Sequence, residues 1–77
     1  MNEEKRMAGN YEIIHSVYIG DREIVVGEDL ANTEGNKFIC AYYRPALIYA
    51  VYDEVMGSDD YAEIIQLFGE RVAEQAA

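Results

Sequence analysis

Apolar positions along the chain change rhythm once, from a period of two in the first half to a period of 3.6 towards the C-terminus. From Tyr11 to Ile19 the residues are mostly β-branched or aromatic. Gly20-Asp21 interrupts them, and Arg22-Glu23-Ile24-Val25-Val26 resumes the same composition. A glycine at the first central position suits a type II′ turn. A two-residue loop then fixes the register, with Ile19 opposite Arg22, Val17 opposite Ile24 and His15 opposite Val26. One face of this hairpin carries Ile13, His15, Val17, Ile19, Ile24 and Val26. The other carries Glu12, Ile14, Ser16, Tyr18, Glu23 and Val25, which is too apolar for a face left wholly to water. An acidic connection, Glu28 to Asn36, leads to a third strand over 37–43, where Phe38, Cys40 and Tyr42 alternate with Ile39, Ala41 and Tyr43. Two apolar faces put this strand in the middle of a sheet, or between helices and a partner.

Pro45 then suits the first turn of a helix over about 46–56, with Leu47, Ile48, Val51 and Val55 on one stripe and Gly57 as its C-terminal cap. The competing reading is a fourth strand, since Ile48-Tyr49-Ala50-Val51-Tyr52 is also β-prone; Leu47 with Ala46 and Ala50 favours the helix. Ser58-Asp59-Asp60 supplies capping oxygens for a second helix over about 59–74, with Asp60 and Glu63 spaced as a capping box and Tyr61, Ile64, Ile65, Phe68 and Val72 on its apolar face. The expected fold is α+β: a three-stranded antiparallel sheet, from hairpin 11–27 and strand 37–43, with both helices on one face. Residues 1–9 are expected to be a flexible leader and 10–77 one domain.

Composition adds the chemistry of the surface. Fifteen Asp and Glu against six Lys and Arg give the 77 residues a net charge of -9, while half are hydrophobic, so the acidity belongs to a folded protein. Duplex nucleic acid and anionic lipid are expected to be repelled, and a charged partner is expected to be basic. One cysteine and one histidine offer neither a disulfide nor a cluster of soft metal ligands. No apolar run reaches the roughly 18 residues of a membrane span, and the N-terminal residues do not resemble a signal peptide, so a cytoplasmic location is expected.

No motif announces catalysis. His15 lies mid-strand without a spacing that promises a nucleophile or an orienting carboxylate, and Cys40 sits among apolar neighbours, so both read as structural. The 28–36 connection holds oxygen ligands but lacks the acid spacing and glycine of an EF-hand, and neither Gly20 nor Gly27 opens a phosphate loop. No enzyme activity, cofactor or metal is expected. What remains is surface. Seven tyrosines accompany two phenylalanines and no tryptophan. Tyr18 and Tyr43, with Ile14 and Val25, form an expected apolar interface on the strand faces away from the helices. The acids Glu28, Asp29, Glu34, Asp53, Glu54, Asp59, Asp60, Glu63, Glu70 and Glu74 form an expected acidic one. Together they suggest a small acidic protein-binding module, an inhibitor that presents carboxylates to the basic groove of a nucleic-acid-handling protein, in the manner of anti-CRISPR or anti-restriction factors by analogy of size and charge alone. The alternative is a homodimeric assembly protein that buries its second sheet face across a two-fold axis.

Overall fold

The computed structural model describes residues 5–33, 35–45 and 50–77. Five strands, β1 (Met7–Ala8), β2 (Tyr11–Ile19), β3 (Arg22–Glu28), β4 (Phe38–Pro45) and β5 (Ala50–Ser58), are followed by one helix, α1 (Tyr61–Ala76). The strands form an antiparallel meander in the order β1-β2-β3-β4-β5, curled into a half-barrel, and α1 packs on one face.

This corrects the expected three-stranded sheet with two helices. Residues 50–56, assigned to the first helix, are strand; 46–49 lie outside the described residues. The reason is the neighbour that β4 provides: Val51 pairs with Arg44 and Tyr52 with Tyr43, so β-branched and aromatic side chains gain cross-strand contacts that outweigh the modest helix preference of Ala50. The supposed apolar stripe does not form, since Val51 is half-buried and Val55 exposed. Gly57, expected to cap a helix in a left-handed conformation, instead continues β5 opposite Ile39. The fifth strand comes from the segment read as a leader, where Met7 and Ala8 pair with Glu12 and Tyr11.

The β2–β3 hairpin has the expected register: Ile19 opposite Arg22, Val17 opposite Ile24, His15 opposite Val26. Gly20 has φ 64°, and Asp21 does not share its positive sign, the pattern a type II′ turn requires. Beyond His15 the register slips, because Ile13 faces Gly27 and Ile14 is left as the extra residue of a bulge. Ile14 is thereby turned towards the helix. There it joins Val17, Ile19, Phe38, Leu67, Phe68 and Val72 around a buried core of Ile24, Val26, Cys40, Tyr42 and Ile64.

Helix α1 begins where its capping residues predict. Asp60 is the N-cap and accepts from the Ala62 backbone N–H at 3.0 Å. Glu63 does not close the expected box directly: it accepts from the Ser58 hydroxyl at 2.5 Å, and that hydroxyl accepts from the Asp60 N–H at 3.0 Å. The serine relays what a capping box does in one step.

Candidate binding site

Strand register places four side chains in one row across the face away from α1. Tyr18 on β2 stands opposite Glu23 on β3, Glu23 opposite Tyr43 on β4, and Tyr43 opposite Tyr52 on β5. Directly opposed residues share a face, so the row reads Tyr-Glu-Tyr-Tyr. The Tyr43 and Tyr52 rings are tilted, with centroids 5.4 Å apart. Glu23 is only 1% exposed. A carboxylate in that position needs a partner, and Arg6, just ahead of β1, supplies one. Its two terminal nitrogens donate to the two carboxylate oxygens at 2.6 and 2.5 Å, and its guanidinium carbon lies 4.7 Å from the centre of the Tyr43 ring. The Arg6 hydrogen bonds hold the Glu23 carboxyl below its ordinary range, against the upward push of burial, with further help from the hydroxyls of Ser16 and Tyr18. Arg6 is raised in turn by Glu23.

Across the sheet, cations gather at Tyr42. The Arg22 guanidinium lies 3.9 Å from its ring centre and that of Arg71 lies 5.0 Å away. Arg71 also donates to the Cys40 carbonyl oxygen at 3.1 Å and is almost fully buried. A shallow cavity of about 190 Å³ opens beside this cluster, between Asp21, Arg22, Tyr42, Tyr43, Arg44 and Asp53. Its two arginines and two aspartates balance each other, and Arg44 already donates to Asp53 at 3.1 Å.

Compared with known protein families, curated proteins and solved structures, the chain matches none.

The expected acidic surface is reached only in part. Asp53 and Glu54 are engaged by Arg44 and, at 3.9 Å, by Arg22. Asp60 and Glu63 are committed to the start of α1, and Asp29 accepts from the Ala31 N–H in the connection. Glu28 is half-buried at the end of β3, and Glu34 lies outside the described residues. Asp59, Glu70 and Glu74 stand exposed with no ion pair among the described residues. Glu70 and Glu74 share the outer side of α1 with Glu63 and Gln66. The expected apolar interface also changes. Ile14 faces the core through the bulge, Val25 is fully buried, Tyr43 is half-buried against Arg6, and Tyr18 alone is widely exposed, at 68%.

His15 and Cys40 do not meet. The His15 Nε2 lies 2.7 Å from the Tyr61 hydroxyl at the start of α1, with the Phe68 ring nearby. Cys40 is buried in the core, where desolvation pushes its thiol up and Arg71 only partly offsets the push. A raised thiol is a poor nucleophile at neutral pH. Sequence reasoning missed the Arg6–Glu23 pair. Its signal was a single carboxylate inside the run Glu23-Ile24-Val25-Val26, placed opposite Tyr18 by the hairpin register.

Proposed function

We propose that this chain is a small acidic protein-binding module that occupies a basic surface on a nucleic-acid-handling protein. The observation that carries the reading is how its own cations are spent. Arg6 holds Glu23, Arg22 and Arg44 face Glu54 and Asp53, Arg71 turns into the core, and Lys5 is 4.0 Å from Glu12. Lys37 is the one cation left unpaired among the described residues. The outward charge of α1 is thus wholly negative, because its one arginine points inward.

Helix physics adds a second support. The last turn of α1 carries no basic residue, yet Glu74 sits there, where a carboxylate opposes the helix dipole at a cost of about 0.3–1 kcal/mol. A surface that served only solubility would sit better with its signs mixed. Tyr18, in the Glu23 row on the sheet face away from α1, offers an exposed aromatic anchor on a second surface. The reading is of a binder and not an enzyme, acting in the cytoplasm. Among the described residues no helix is long and apolar enough to cross a membrane.

The test is affinity capture on the immobilised chain, with nuclease-treated lysate and duplex DNA as competitor. Basic nucleic-acid-handling proteins that DNA displaces are the expected catch; a catch of acidic or neutral proteins indifferent to DNA refutes the reading.

A further inference from the structure

We infer that the Glu23 row is a guanidinium-binding site, filled by the chain's own Arg6 and open to exchange with an arginine of the basic partner. The inference deepens the function proposed above by naming the side chain recognised, and it rests on that reading only for the identity of the incoming arginine.

Four features support it. Both carboxylate oxygens of Glu23 are presented side by side, matching the planar fork of a guanidinium and not the point charge of an ammonium group. Aromatic rings flank them: Tyr43 takes the Arg6 cation on its face, with Tyr18 and Tyr52 in the same cross-strand row. The carboxylate is closed from water although Arg6, its cover, is itself 40% exposed. Finally, among the described residues Arg6 is held by little else. Beyond its contacts with Glu23 and Tyr43 its anchorage is a two-residue edge strand and one hydrogen bond from the Ile13 N–H to the Arg6 carbonyl oxygen, 2.8 Å long. An edge of this size opens at low free-energy cost compared with the core strands.

A purely structural pair would gain little here, since a buried ion pair is often no more stabilising than apolar residues of the same volume. A carboxylate kept between Tyr18 and Tyr43, under a detachable arginine, is what a recognition site for arginine requires. Tethering gives Arg6 an effective concentration in roughly the millimolar range, so an incoming arginine must bring additional contacts, and the exposed Tyr18 in the same row is placed to provide them.

The test removes the tether. Arg6→Ala is titrated with N-acetyl-arginine amide, and with N-acetyl-lysine amide at equal ionic strength, while the ring signals of Tyr18, Tyr43 and Tyr52 are followed by NMR. Saturable shifts of Tyr43 with the arginine compound, a several-fold weaker response to lysine, and no response in Arg6→Ala/Glu23→Gln are expected. Equal responses to both compounds, an undiminished response in the double variant, or no saturable shift overturns the site. Should Arg6→Ala not fold, the wild-type chain is titrated with hexa-arginine and hexa-lysine. Release of the Arg6 guanidinium resonance by hexa-arginine alone is expected, and its persistence at saturation counts against exchange. These outcomes are independent of the lysate capture, so either proposal can fail without the other.

Discussion

Replacing Glu23 by Gln tests the core of the site with almost no change of shape. The substitution keeps the volume, opens no cavity, and removes the charge that Arg6 grips through two short hydrogen bonds. Breaking a fully buried pair costs about 3–5 kcal/mol, whereas exposed pairs contribute about 0.2–1 kcal/mol. Glu23 belongs to the first class and Arg6, at 40% exposure, nearer the second. Arg6 can turn to water once released, so the loss is about 1–2 kcal/mol at pH 7, between those two classes. In a domain this small that lowers Tm by roughly 5–15 °C. The pH dependence supplies a sharper signature. Because the Glu23 carboxyl is lowered in the folded state, its contribution is fully present above its ordinary value of about 4.5 and is lost as pH falls through the lowered folded value. Urea denaturation of both proteins across acid pH should therefore show the wild type's advantage shrinking as the solution is acidified. A difference under about 0.5 kcal/mol at pH 7, or one that does not narrow in acid, refutes the reasoning.

Other outcomes follow from the same packing. Arg71→Met keeps the apolar stem but leaves the Cys40 carbonyl without its donor, and should destabilise by about 1–3 kcal/mol in chemical denaturation, more than an exposed helix cation would. Cys40 should be inert to Ellman's reagent in the native protein at neutral pH and react fully in denaturant; rapid native labelling would contradict its raised, buried thiol. Sedimentation at micromolar concentration should return a monomer, because Val25 is already buried and Ile14 faces the core, which leaves the described residues of the second sheet face short of the apolar area a dimer needs. A stable dimer would favour the assembly reading instead.

How far the sequence disclosed the molecule depends on how local the deciding physics is. The hairpin register follows from Gly20-Asp21 alone, and the start of α1 from Asp60, so both were legible. Residues 50–56 were not, because a segment mixing Ala with Val and Tyr takes its conformation from the neighbouring strand, and β4 becomes that neighbour only when the chain folds. The bulge at Ile14 had no marker in composition, yet it moved that residue from one face to the other. Periodicity alone did not show the Arg71 guanidinium turning inward, which leaves the outward charge of α1 wholly negative. Arg6 and Glu23 are 17 positions apart, and their pairing depends on β1, a strand too short to announce itself.

The central claim is that uncompensated carboxylates on α1 engage a basic protein. Its most direct test is the affinity for a captured partner, measured against ionic strength for the wild type and for Glu70→Lys/Glu74→Lys. These substitutions place cations near the negative end of the helix, so the fold should be as stable or slightly more so, and lost binding cannot be ascribed to unfolding. Wild-type affinity should fall steeply as the Debye length shrinks from about 10 Å at 0.1 M salt to about 3 Å at 1 M, and the variant should already be weak at low salt. Affinity indifferent to salt, or a double variant that binds as well as the wild type, would contradict it.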